Sequence, residues 1–201
     1  MTWTVFAVAI LNAMLINNVI LAQFLGVCPF LGVSKKSSSA VGMSGAVTFV
    51  MVVAALITYT IYTLILVPLE IEYIQTIAFI LVIASLVQLV EILLKKFSTG
   101  LYKSLGIYLP LITTNCAILG VAEGNITNIA EGNPAFFAGL GLAGFTALGT
   151  ALGFGLIMFA FSSVRERLDA ANVPDAWKGV PISLVVAGIM SIAFLGLAGV
   201  I

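Results

Sequence analysis

The chain has no histidine and only two cysteines, Cys28 and Cys116, among its 201 residues. The first absence removes the commonest general base and a common metal ligand. The second rules out a disulfide framework. Charge is also scarce: Asp, Glu, Lys and Arg make up 8% of the chain, against about 25% in a soluble domain. The net charge is zero and no basic patch offers itself to nucleic acid. No Lys or Arg precedes Lys35, so the start lacks the positive flank of a signal peptide, and the first apolar segment is expected to stay in the mature protein. A glycine-rich nucleotide fingerprint, a haem motif and a catalytic triad are all missing. Nothing here makes a complete enzyme.

What the chain does have is apolar surface. Hydrophobic residues reach 62%, which leaves too little polar surface to cover a water-soluble globule, so the bilayer must be the solvent. Apolar runs fall at 3–33, 41–67, 73–94, 101–122, 134–161 and 180–201. A helical span needs about 20 residues, so five runs fit one span each. The first is too long: 31 residues would make ~46 Å of helix against ~30 Å of hydrocarbon. Gly26, Pro29 and Gly32 mark its expected break. The expectation is an all-α polytopic membrane protein, one integral membrane domain over 1–201, with six transmembrane helices and the first interrupted.

All basic residues fall in three places: Lys35 and Lys36; Lys95, Lys96 and Lys103; and Arg165, Arg167 and Lys178. The loops around Glu70/Glu72 and Glu123/Glu131 and both termini carry none. The positive-inside rule makes the basic face cytoplasmic and puts the N and C termini outside. Two halves, about 1–97 and 98–201, then have opposite topology. Cys28-Pro29-Phe30-Leu31-Gly32-Val33 is echoed by Cys116-Ala117-Ile118-Leu119-Gly120-Val121. Together these point to two inverted three-helix repeats with a broken helix at each cysteine segment, the arrangement that builds sites near the midplane.

The fifth run is lined with small residues, including Gly149-x-x-x-Gly153, and the sixth has Ser183, Ala187 and Ser191. Such faces let helices approach closely, and packing within this chain is the expected use. The polar stretch Ser162–Asp169 should continue the fifth helix until Asn172-Val173-Pro174 ends it. It is expected to be a solvated connector and the one surface that could meet a soluble partner.

A free membrane cysteine often serves as a small hydrophobe. Here both cysteines stand beside helix-breaking or polar residues: Gly26 and Pro29 in one half, Pro110, Thr113, Thr114 and Asn115 in the other. Irregular backbone at membrane depth must be buried in protein or line a cavity. The residues leave three readings open: a packing role, a Cys28–Cys116 disulfide, or a pair of metal ligands. Two thiolates without histidine would suit iron–sulfur chemistry, which usually takes four, so a second chain would supply the rest. Pro29 would open a new helical turn after Cys28, and Thr113, Thr114 and Asn115 would donate around Cys116. Glu91, four residues before Lys95, reads as an interfacial ion pair or, with Asn17 and Asn18, as a candidate ion path. Asn17, Asn18, Gln23 and Gln88 would be helix–helix contacts or cavity lining.

Phe24-Leu25-Gly26-Val27-Cys28-Pro29-Phe30-Leu31-Gly32-Val33-Ser34-Lys35-Lys36 closely resembles the first cysteine segment of the RnfA family, the A subunits of Rnf electron-transport complexes. The stretch Leu105–Val121, with Thr113-Thr114-Asn115-Cys116, resembles the second, and Val164–Leu168 followed by Asn172-Val173-Pro174 resembles the last cytoplasmic loop. The E subunit of the sodium-pumping NADH:quinone reductase forms a related family. The resemblance implies a non-autonomous component of a translocase that passes electrons between ferredoxin and NAD and moves sodium or protons. It implies a [2Fe–2S] cluster with Cys28 and Cys116 as two of its four ligands. The others would come from a homologous partner of opposite topology, the E subunit of the Rnf complex. The B, C, D and G subunits of that complex would complete the assembly in a prokaryotic inner membrane. The competing class is a secondary transporter, which also uses inverted repeats but needs no redox cofactor.

Overall fold

The structure is a computed structural model that describes residues 10–34, 37–69, 72–97, 111–112, 115–130, 136–170, 174 and 177–198. Every regular element among these residues is helical. A π-helical turn, Asn12–Ile16, leads into an irregular stretch and then the short helix α1, Val27–Val33. Helix α2, Ser37–Ile61, passes through a second π turn, Tyr62–Leu66, into α3, Val67–Leu69. Pro68 has no N–H to give the carbonyl one turn back, which is reason enough for the widened turn before it. A 3-10 turn, Glu72–Ile74, opens α4, Gln75–Phe97. Then come α5, Cys116–Ala130, α6, Phe136–Asp169, and α7, Val180–Ala198.

Among the described residues, three stretches are long and apolar enough to cross a membrane: Ser39–Leu69, Gln75–Ile92 and Phe136–Asp169. Cys116–Thr127 and Val180–Gly196 are shorter apolar helices. The expected second, third, fifth and sixth runs therefore appear as helices. The fourth is described at 111–112 and from Asn115 onward, and its 101–110 and 113–114 portions lie outside the described residues. One boundary differs: the apolar runs predict a loop around Glu123, but α5 continues to Ala130.

The core forms where α2 and α6 pack along each other. Met43, Val47, Met51 and Ala54 of α2 meet Ala147, Ala151, Phe154 and Met158 of α6, all at most 1% exposed. Both series recur every three or four residues, the spacing of one helix face. Helix α5 packs against α2, α4 and α6. The outward faces stay apolar: Ile77, Leu81, Ile92, Ile189 and Ile192 are all more than 60% exposed. In water that would be a liability; in lipid it is the surface the solvent demands.

Candidate functional site

The first segment does break, but not where its helix-breaking residues alone suggest. The irregular stretch runs from Asn17 to Gly26, and Pro29 and Gly32 lie inside α1. Pro29 is the third residue of α1, not the first. First-turn amides have no intrahelical partner, so a proline there forfeits no helix bond. Gly26 marks the end of the break: it precedes α1 with φ 79°, in the left-handed region that glycine enters at no steric cost. Phe24 is also left-handed, at φ 55°.

Side chains both local and far along the sequence satisfy the broken backbone. Asn18, 1% exposed, accepts from the Ile20 amide at 3.1 Å through Oδ1 and donates through Nδ2 to the Met14 carbonyl at 3.1 Å. Ser191 of α7 donates to the Leu21 carbonyl at 2.7 Å. The Gly26 amide donates to Cys116 Sγ at 2.9 Å. The α6 glycines complete the seat. A Cβ on Gly149 would fall 2.9 Å from the backbone of Ile10, and one on Gly153 2.7 Å from the Met14 carbonyl. The small-residue face of α6 is thus used within this chain, as expected.

At the second cysteine segment the described non-helical residue is Asn115. Asn115 stands before α5 and accepts from the Ala117 amide at 3.1 Å through Oδ1, an N-cap made by its own side chain. Its Nδ2 is buried and has no hydrogen-bond partner among the described residues. Cys116 follows as the first residue of α5, and Cys28 is the second of α1. Each cysteine therefore occupies the first turn of a helix that begins after a break. Both are free, with no disulfide between them, and both are exposed. Asn115 lies against Gly26: a Cβ there would sit 3.1 Å from Asn115 Oδ1 and 3.1 Å from the Ala117 methyl. The two cysteine segments, 90 residues apart in sequence, meet at this point. Among the described residues no group of three or more His, Cys, Asp or Glu gathers to hold a metal.

The other expected site residues are placed as follows. Thr113 and Thr114 lie outside the described residues. Asn18 is spent on the backbone of the break rather than between helices or in a cavity. Asn17 is exposed and donates to Asn12 Oδ1 at 3.1 Å. Gln23 and Gln88 are exposed, and Glu91 is half-buried on α4. Nothing in the described contacts joins Glu91 to Asn17 or Asn18.

Arg165 is the residue that sequence reasoning misses. In the charge pattern it is one marker of the basic face, yet it is 6% exposed. Its Nη1 donates to the Leu31 carbonyl at 2.7 Å and to Ser34 Oγ at 2.9 Å. The next residue, Glu166, accepts from the Ser37 amide at 3.0 Å and from its hydroxyl at 2.7 Å. Those bonds hold the Glu166 carboxyl below its ordinary range. The signal for burial is periodicity: Phe154, Met158, Phe161 and Arg165 advance by four, three and four residues along one helix face. At the opposite end of the bundle, Thr76 donates to Glu123 Oε1 at 2.6 Å. One end thus joins two of the basic loops and the other joins α4 to α5, the grouping that the charge pattern implies.

Comparison with known proteins settles the lineage. The family described as "Rnf-Nqr subunit, membrane protein" matches residues 6–201, which includes both cysteine segments. The chain belongs to the Rnf-Nqr family. A relative from Acetobacterium woodii, named as the A subunit of a Na(+)-translocating ferredoxin:NAD(+) oxidoreductase complex, is 54% identical over 189 residues, 94% of each chain. The A subunit of an ion-translocating oxidoreductase complex from Syntrophotalea carbinolica is 52% identical over 192 residues, covering 96% of this chain and 95% of that one. Its counterpart from Glaesserella parasuis is 50% identical over 199 residues, covering 98% and 97%. The Rnf-Nqr relatives thus match along nearly their whole length, and the breaks that seat the two cysteines lie within the matched region.

Proposed function

We propose that this chain is the A subunit of an ion-translocating ferredoxin:NAD oxidoreductase, and that Cys28 and Cys116 are its two ligands to a [2Fe–2S] cluster. The observation that carries this reading is the Gly26 amide on Cys116 Sγ. It joins the two cysteine segments while leaving both thiols free and exposed. The donor set fits: two soft thiolates suit an iron–sulfur centre, which usually takes four. One chain therefore completes half a site. A homologous partner of opposite orientation, the E subunit of the Rnf complex, would supply the other two ligands. The Nδ2 of Asn115, one residue from Cys116, has no partner among the described residues, which suits a site finished by a second component.

A cluster held here would supply a one-electron relay within the membrane. The chain's own part is to hold and orient. Gly26 gives a hydrogen bond to a ligand sulfur, which stabilises negative charge there. Cys116 heads α5, whose N-terminal amides favour an anionic ligand. Asn18 and Ser191 keep the broken backbone satisfied, so polar groups at depth do not draw water toward the site. In this reading the chain makes six spans in two inverted halves, about 1–97 and 98–201, with both termini outside a prokaryotic inner membrane. The B, C, D and G subunits are the further partners, and sodium or protons move with the electrons.

The test is to purify the chain with its partner anaerobically, then measure iron and record the electron paramagnetic resonance spectrum. About two irons per pair and a reduced-state signal are expected. An iron-free, colourless pair that binds a small solute would replace this reading with the secondary transporter.

A further inference from the structure

We propose that Arg165 is a positioning residue that sets where α1 lies along α6, and so holds the Gly26 amide on Cys116 Sγ. Helix α1 has seven residues, too few to be stable in isolation. Its place must come from what it touches: it packs on α2, and side chains of α6 meet it at three points. At its start, Gly26 lies against Phe154: a Cβ there would be 3.2 Å from the ring. In its middle, Phe30 stacks on Phe161 with centroids 4.0 Å apart. At its end, Leu31 and Ser34 take the two bonds from Arg165. These contacts advance in the same direction on both chain segments, so α1 runs parallel to α6 and is fastened at each step.

The last step differs from the others. Phe30 against Phe161 is a sliding contact between two flat rings. Arg165 is a pin with direction and distance. Leu31 is among the last carbonyls of α1, which have no partner within the helix. A guanidinium buried to 6% exposure is tolerable only where its hydrogen bonds are made. A shift of α1 along α6 would leave both the cation and the carbonyl unpaired. The same shift, carried through a short rigid helix, would pull the Gly26 amide off Cys116 and displace Cys28. Arg165 therefore acts on the cysteine pair from the far end of α1 without touching it.

The test uses the assembled complex with Arg165→Met, Arg165→Lys and Ser34→Ala, read in two ways. The first is hydrogen–deuterium exchange at the Gly26 amide, which needs no cluster. Arg165→Met should speed it roughly tenfold, Ser34→Ala less, and Arg165→Lys least, because an ammonium can still reach one acceptor. The second rests on the proposed cluster: its midpoint potential should fall in Arg165→Met, since a hydrogen bond to a ligand sulfur raises it, and recover in Arg165→Lys. Parental exchange at Gly26, or an altered exchange with a parental potential and spectrum, overturns the proposal. If Arg165→Met fails to assemble, parental exchange in Ser34→Ala overturns it instead. An iron-free parental complex sinks the cluster reading alone, and the exchange measurement still decides whether Arg165 holds α1.

Discussion

The two cysteine segments end alike and are built differently. In the first, an irregular stretch from Asn17 to Gly26 precedes a helix of seven residues. In the second, Asn115 caps a helix of 15 residues with its own side chain. The second can form from local interactions, since an N-cap and a longer helix support one another. The first depends on distant partners: Ser191 on Leu21, Arg165 on Leu31, and Cys116 on Gly26, separated by 170, 134 and 90 residues. The two proposed ligands thus rest on one self-supporting segment and one borrowed one. The difference says where the site should be fragile.

The largest effect should ignore that asymmetry. If both cysteines are ligands, Cys28→Ala and Cys116→Ala should each abolish ferredoxin-dependent NAD reduction in the assembled complex. The loss should be roughly hundredfold or more, beyond the ~10–100-fold typical of residues that only support a ligand. One substitution tolerated at the parental rate would end the equivalence.

Glycines on the two sides should then separate the segments. A Cβ on Gly153 would strike the Met14 carbonyl at 2.7 Å and the Met14 Cα at 3.0 Å, both backbone atoms of the π turn that leads into the borrowed segment. One on Gly120 of α5 would meet the tip of the Leu25 side chain, which can rotate away. Gly153→Ala should cost about 1–3 kcal/mol by overpacking, read as a lower thermal midpoint of the detergent-solubilised complex. Gly120→Ala should be nearly neutral, because alanine's higher helix propensity offsets the crowding. Equal midpoints would remove the claim that backbone contact seats the first segment.

The two asparagines sharpen the same contrast with a smaller effect. Asn18→Ala strips an acceptor from the buried Ile20 amide and a donor from the Met14 carbonyl, an expected loss of about 1–3 kcal/mol. Asn115→Ala removes a cap worth about 1 kcal/mol. It also deletes a buried nitrogen that has no partner among the described residues, so its net cost should be the smaller. Denaturation midpoints of the two variants, ranked against the parent, check this order. The reverse order would make the second segment the fragile one.

Much of this architecture is legible in the amino-acid sequence. A chain that is 62% hydrophobic and 8% charged must meet lipid, and four of its apolar runs reappear as helices because span length is set by the bilayer. Both cysteine segments are visible as an echo. The break is harder. Gly26, Pro29 and Gly32 look alike as helix breakers, yet only Gly26 belongs to the break, because a first-turn proline loses nothing. Asn18 and Ser191 show as polar residues at depth, but their acceptors are carbonyls, which sequence does not distinguish. Arg165 is hidden for a related reason. Counting basic residues by loop gives each the same weight, and its acceptors lie 131 and 134 residues upstream.

The smallest expected effect concerns pH at the tip of α6 beyond its apolar run, at the basic end of the bundle. The Ser37 hydroxyl and amide favour the charged form of Glu166, so its folded value lies below the ordinary 4.5. For a lowered carboxyl, the stabilisation is complete above the unfolded value and is lost as pH falls through the folded one. Acid should therefore loosen the Glu166–Ser37 contact while Arg165, which binds a carbonyl and a hydroxyl, keeps its grip on α1. Glu166 is fully exposed, where solvent screens such contacts, so the shift should be slight. Thermal midpoints of the parent and of Glu166→Gln should converge as pH drops below 4.5 and differ above it. A gap that persists in acid would mean that Glu166 acts by shape rather than by charge, and that the borrowed segment is held by Arg165 and Glu166 alike.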